Sequence, residues 1–253
     1  MTSSLKVLLA RLVDYAGLYP PAGLSLDETT RNYECYLRST ENWMLNRLIL
    51  PLSKIGEVIP GPEWRVSLLA DKPPGVLPDV VEVIETKSPT VFELPVYREM
   101  PLADIRQGYA KIRTGGTTPD AIPDVATVAQ FLIEAADRHL PFKATAGLHH
   151  PIRKEQPLTY AADSPRGVMH GFINVFVAAA FAWNSTTQAR QIVEEILAET
   201  DPGTFHFADD HVSWKGERVR TKQVADARQN FAHSFGSCSF EEPVADLKAL
   251  GWL

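Results

Sequence analysis

Residues 80–96 read VVEVIETKSPTVFELPV, and whether the opening VVEVIET is a helix or a strand decides how the whole chain is counted. Its composition suits either state, but only Lys87, Ser88 and Pro89 separate it from the second apolar run, TVFELPV. A crossover between parallel strands takes roughly a dozen residues or more. The reading is therefore a helix over Val80–Thr86, capped by Asp79, and a strand over Thr90–Val96. Outward from there, strand-like runs fall at Arg11–Leu18, Asn46–Pro51, Trp64–Ala70, Tyr109–Thr114, Pro141–Leu148, part of Thr204–Trp214, and Ala232–Cys238. Helix signals lie between them. Ser25 and Glu28 form a capping box before LDETTRNYECYL, and Asp120 or Asp124 can cap VATVAQFLIEAA. Eight strands alternating with helices predict an α/β fold, a single (β/α)8 (TIM) barrel over residues 1–253, with an open doubly wound sheet as the alternative.

The stretch His149–Thr204 exceeds one βα unit. Gly167–Trp183 and Thr186–Thr200 both read as helices, so an extra helix and a long loop, HPIRKEQPLTYAADSPRG, are expected after the sixth strand. The most apolar segment, FINVFVAAAFAW at 172–183, falls short of the roughly 20 residues that span a bilayer and is expected to be a buried helix. No membrane association is expected.

Composition narrows the function. The 253 residues carry 25 basic against 31 acidic side chains, a net charge of -6 that argues against nucleic-acid partners. At 45% apolar residues the chain can fill one large core. Cys35 and Cys238 lie far apart without metal-ligand spacing, and the N-terminus has no signal-peptide pattern. A cytoplasmic protein is expected. No P-loop, GxGxxG or G-x-S-x-G pattern occurs, so a nucleotide cofactor has no support. Tryptophan and tyrosine residues could build a homo-oligomer face.

Barrel active sites form where strands end and βα loops begin. Those ends are polar here: Asp14, Asp71, Glu93, the KIRTGG of 111–116, the KATAGLHHP of 143–151, His206 with Asp209 and Asp210, and the GSCS of 236–239. Alternation puts Lys111 and Arg113 on one strand face, and Lys143, Thr145 and Gly147 on one face of the next. A lysine inside a barrel is desolvated, and a neighbouring cation lowers its pKa further, freeing the amine as a nucleophile. A lysine on the outer face snorkels to water instead.

Lys-x-x-Thr-Gly at 111–115, followed by Lys-Ala-x-x-Gly at 143–147, resembles the paired lysine strands of deoxyribose-phosphate aldolase and related Schiff-base (class I) aldolases. LVDYAGLYPPA at 12–22 is similar to the opening of that family, and HSFGSCSF at 233–240 resembles its glycine- and serine-rich phosphate-binding last strand. The resemblance implies a lyase in which one lysine forms the carbinolamine and imine and the other tunes it. It maps Lys111 to the imine-forming position. The strand count above places the lysines on strands five and six, one earlier than in that family. Other class I aldolases carry their imine lysine on the sixth strand, which favours Lys143, so the assignment between the two stays open. Arg113 stands where the family has serine, and the family's catalytic aspartate has no clear counterpart unless Glu82 or Glu93 serves.

The remaining residues fill out the expectation. Glu93, flanked by apolar residues, needs a cationic partner in Lys111 or Lys143, as a proton-moving carboxylate or a structural ion pair. His149 and His150 point in opposite directions, so at most one enters the site, as an acid/base or, with His206, His211 or Asp209, as a metal ligand. Arg113 and Thr145 would bind a small anionic substrate. Gly236, Ser237 and Ser239, before a helix that Ser239 caps with Glu242, would hold phosphate or carboxylate. The expected function is an aldolase-type lyase needing no cofactor. A metal-assisted lyase or hydrolase, and a non-catalytic binding barrel, are the alternatives.

Overall fold

Val81–Thr86 is a strand. In the computed structural model, which describes residues 1–184 and 189–253, it is β4 of a barrel whose earlier strands are β1 (Val13–Tyr15), β2 (Leu45–Pro51) and β3 (Val66–Leu69). The barrel continues through β5 (Val96–Arg98), β6 (Tyr109–Arg113) and β7 (Phe142–Thr145). Four non-barrel strands follow as two pairs: β8 (Lys154–Pro157) with β9 (Arg166–Met169), and β10 (Phe205–Phe207) with β11 (His211–Trp214). The short β12 (Glu217–Arg220) extends the second pair, and β13 (Ala232–Ser237) closes the barrel against β1. All eight barrel pairings are parallel, so the fold is the expected (β/α)8 barrel.

The expected count of eight is right, but two members change. Val80–Thr86 is not a helix, and of Thr90–Val96 only Val96 is in a strand. The crossover rule fails here because the return carries no helix and has only a six-residue strand to span. Nine linking residues, 87–95, reach about 30 Å when extended, more than the roughly 20 Å needed to return along a six-residue strand. β4 also buries five of its six residues, the near-continuous apolar run of a strand covered on both faces. The Thr204–Trp214 strand is not in the barrel either. It is split into β10 and β11 of a three-stranded antiparallel sheet, whose second hairpin turns at Lys215 and Gly216 with φ of 45° and 91°. Two successive positive φ values define the tight turn that matches strand twist.

Seven α-helices are described. α1 (Ser3–Leu9) precedes β1, α2 (Leu26–Leu37) follows it, and α3 (Val125–Asp137) links β6 to β7. α4 (Phe172–Asn184), α5 (Ala189–Ala198) and α6 (Thr221–Asn230) lie between β7 and β13, and α7 (Glu241–Ala249) ends the barrel. The Ser25/Glu28 capping box forms, and α3 is capped by Asp124, not Asp120. Among the described residues no α-helix lies between β2 and β6, where 3-10 turns at Leu52–Glu57 and Leu102–Asp104 serve. The extra material follows the seventh barrel strand rather than the sixth. Its long loop carries the β8–β9 hairpin, Gly167 belongs to β9 rather than to a helix, and the expected helix start at 186–188 lies outside the described residues.

α4 is buried over every residue from Phe172 to Ala180, as its mostly apolar sequence requires, and the buried Asn174 donates to the Ile196 and Glu199 carbonyls. Phe172 stacks on Phe235 of β13 at 5.2 Å, fixing the helix to the barrel wall. No described helix is long and apolar enough to cross a membrane.

Candidate active site

The barrel interior is charged. In register, Lys111 of β6 lies beside Lys143 of β7, and two ammonium groups so placed need anions between them. Glu85 of β4 supplies one. Its Oε1 lies 2.6 Å from Lys143 Nζ and its Oε2 2.9 Å from Lys111 Nζ. Each lysine has a second carboxylate, Asp14 of β1 at 2.5 Å from Lys143 and Glu99, just after β5, at 3.2 Å from Lys111. Neutral donors complete the set. Ser67 donates to Glu85 at 2.6 Å, while Asn46 and Ser234 each donate to Asp14 at 2.7 Å.

The two lysines are not equivalent. Lys143 is 0% exposed and does not reach the cavity at the C-terminal mouth of the barrel, whereas Lys111 is 7% exposed and lines it. That cavity holds about 560 Å³, enough for a small metabolite. Burial alone would lower the Lys111 pKa, but Glu85 and Glu99 reverse the effect and hold the ammonium above the usual lysine value. The expected lowering by a neighbouring cation is therefore corrected: Glu85 stands between the two amines. Burial likewise pushes the Glu85 carboxyl up, and Lys111, Lys143 and Ser67 more than undo it, leaving it far below the usual carboxylate range.

The tips of β6 and β7 touch as backbone. A Cβ on Gly115 would lie 2.8 Å from the Gly147 Cα, and Thr114 Oγ1 donates to the Ala146 carbonyl at 2.6 Å. Gly147 also has φ +76°, a conformation that glycine tolerates best. These contacts give a packing reason for a glycine after each lysine.

Of the residues singled out in the sequence, Lys111, Arg113, Thr145, His149 and Gly236 line the cavity together, with Lys143 beneath them. Arg113 is half-exposed and bridges to Glu99 at 3.1 Å. Glu93 does not join them: it is exposed in the link between β4 and β5, beside Pro78 and Asp79. The register error placed it on a strand that does not exist, and Glu85 occupies the position meant for it. Glu82 pairs with Arg47 and Arg65 instead. Ser237 and Ser239 are outside the lining. Ser239 Oγ accepts from the Glu242 N–H at 3.1 Å, and alternation turns Gly236 and Cys238 inward instead.

His149 lines the cavity, while His150 turns away to Asp246 of α7 at 2.6 Å. His149 Nδ1 lies 3.1 Å from Glu242 and 3.9 Å from Cys238 Sγ; its Nε2 makes no hydrogen bond among the described residues. Burial would lower this imidazole's pKa, but its hydrogen bonds to Cys238 and Glu242 push it up to about 9. Because the folded value lies above the unfolded one, the pairing contributes stability that is complete below about pH 6.5 and lost as pH rises through about 9. The imidazole protons of His149 should therefore titrate near pH 9 by NMR, and at lower pH in Glu242→Gln, where the Cys238 contact remains. A midpoint near 6.5 in the wild type would show that the Glu242 contact is not formed. Among the described residues no three His, Cys, Asp or Glu side chains converge as a metal site, and His206, Asp209 and His211 lie in or beside the β10–β12 sheet.

Sequence reading missed Glu85, Glu99 and Tyr19, all of which line the cavity together with Cys238 of the GSCS tip. Glu85 was readable once VVEVIET is taken as a strand, and Glu99 by its place just beyond β5. Fold and site together define a (β/α)8 barrel with a buried double-lysine, triple-carboxylate centre beneath a cavity at the C-terminal mouth. No protein-family model, curated protein or solved structure matches the chain.

Proposed function

We propose that the protein is a Schiff-base aldolase-type lyase that makes or breaks a carbon-carbon bond next to the carbonyl of a small anionic substrate. The observation that carries this reading is Lys111, an amine at the floor of the cavity between two carboxylates, with a second lysine sealed behind it. A purely structural barrel gains little from burying such charges. With β4 counted, Lys111 lies on the sixth barrel strand and Lys143 on the seventh, the positions the aldolase resemblance implies. Both the count and the exposure favour Lys111 as the imine lysine.

In this reading Lys111 loses its proton to solvent through the cavity, and its nitrogen lone pair attacks the carbonyl carbon. Loss of water leaves an iminium, which draws electrons from the adjacent carbon-carbon bond. Lys143 keeps Glu85 ionised and in place. His149 presents Nε2 to the cavity as a proton donor, and Arg113 with Thr145 and the Gly236 backbone holds the anionic group. The chemistry draws on no cofactor.

Borohydride trapping with a panel of small aldehydes, phosphorylated aldehydes and keto acids tests it, read by intact mass and peptide mapping. A reduced adduct on Lys111, abolished in Lys111→Ala, is the expected result. An adduct on Lys143 alone would reverse the roles of the two lysines. No adduct across the panel would favour a binding barrel without this chemistry.

A further inference from the structure

Tyr19 stands apart from the other deeply placed tyrosines. Tyr33 donates its hydroxyl to the Asn46 carbonyl at 2.9 Å, and the Tyr97 hydroxyl meets His233 Nδ1 at 2.7 Å. The Tyr19 hydroxyl is buried and makes no hydrogen bond among the described residues. A desolvated hydroxyl without a partner is costly to a fold, and such groups concentrate where a ligand supplies the missing partner. The other unpartnered hydroxyls, on Thr2, Ser4 and Thr29, do not line the cavity; Tyr19 does.

The β1–α2 loop fixes where this ring sits. Tyr19 N–H donates to the Ala16 carbonyl at 2.9 Å, and Gly23 N–H donates back to the Tyr19 carbonyl at 3.0 Å, so the residue is held in a closed turn directly after β1. Ala16, Pro20 and Pro21 of the same loop form that wall of the cavity. Burial raises the phenol pKa, and the Glu85 carboxylate raises it further. The group therefore keeps its proton and can act only as a hydrogen-bond donor or neutral acceptor. It shares the cavity wall with Glu85, the carboxylate that both lysines contact.

We propose that Tyr19 is a catalytic residue whose hydroxyl donates a hydrogen bond to the carbonyl oxygen of the substrate while Lys111 attacks the carbonyl carbon. The inference rests on the reading that Lys111 forms an imine. As the C–N bond forms, the carbonyl π pair moves onto oxygen, and the phenol O–H stabilises the developing alkoxide. The adduct nitrogen then gives up a proton and the oxygen gains one, so the carbinolamine is neutral and Tyr19 ends as it began. The substrate class this implies is an aldehyde or ketone whose carbonyl oxygen points to the β1 side of the barrel mouth, with its anionic group turned toward Arg113 of β6, three strands away around the barrel.

The test is Tyr19→Phe, which removes one oxygen and no packing. The full-length variant and the wild type are compared by thermal unfolding and by the rate at which glycolaldehyde with borohydride is fixed on Lys111. The variant is expected to melt at or above the wild-type temperature, because no hydrogen bond within the fold is lost. Its trapping rate is expected to fall about 100-fold, as for loss of one oxyanion donor. Arylation of Lys111 by trinitrobenzenesulfonate, which generates no alkoxide, should be unchanged and shows that the amine itself is intact. Equal trapping rates in the two proteins would overturn the role of Tyr19 and leave the imine reading standing. A drop in melting temperature of several degrees would show that the hydroxyl serves the fold, which also overturns it. If the wild type traps nothing on Lys111 with any carbonyl in the panel, the imine reading fails and the inference falls with it.

Discussion

Lys143→Met is expected to lower the unfolding free energy by about 3–5 kcal/mol, the usual cost of removing one partner from a buried ion pair. For a domain of this size each kcal/mol moves the melting temperature by roughly 2–4 °C, so a fall on the order of 10 °C should be seen. Methionine nearly fills the volume of the lysine stem, so little of the loss comes from a cavity. It comes from Asp14 and Glu85, which both touch Lys143 Nζ and are both sealed from water. Glu85 still has Lys111 at 2.9 Å, but Asp14 is left with neutral donors only: Asn46, Ser234 and the Arg47 backbone N–H. Adding Asp14→Asn to Lys143→Met should therefore recover part of the loss, because the stranded charge is removed while an acceptor remains. Urea unfolding of the wild type, Lys143→Met, Asp14→Asn and the double variant measures this coupling. A loss under about 1 kcal/mol for Lys143→Met would mean that the centre is not an ion-paired network, since only exposed pairs are worth so little.

That network also marks where sequence reading succeeds and where it stops. Lys111 and Lys143 were legible because charged residues inside apolar strands are rare and need a reason. The (β/α)8 architecture was legible because short apolar runs and amphipathic segments alternate along most of the chain. The partner carboxylate was not, and the cause was one register decision. Reading Val80–Thr86 as a helix put Glu85 on a helix outside the barrel and gave its role to Glu93. Length rules for crossovers assume a helix to carry the return, and the β4–β5 link has none. The β10–β12 sheet was missed for a local reason, since the Lys215–Gly216 pair that turns its second hairpin carries none of the usual Asn or Asp. Tyr19 and Cys238 reach one cavity only through closure of β13 on β1, residues more than 200 positions apart that no spacing encodes, and Glu242 reaches His149 only through packing of α7.

The rate of adduct fixation on Lys111, with reductant in excess so that imine formation limits, should rise about tenfold per pH unit between pH 7 and 9. Only the neutral amine attacks a carbonyl, and below its pKa the neutral fraction grows tenfold with each unit. The sign follows from the neighbours: Glu85 and Glu99 raise the Lys111 pKa, so the whole interval lies below it and no plateau is reached. Glu99→Gln removes one of the two anions that hold the ammonium, while Glu85 and Lys143 stay paired. Its rate at pH 7 should exceed the wild-type rate severalfold, and its profile should be displaced to lower pH. A flat profile from pH 7 to 9 would mean that the amine is already neutral, which the Glu85 and Glu99 contacts do not allow. Above about pH 9 the rise should slacken, because His149 loses its proton there and with it the donor presented by Nε2. The same bend should move to lower pH in Glu242→Gln, where one of the two groups that raise the His149 pKa is gone. A bend that stays near 9 in that variant would assign it to a group other than His149.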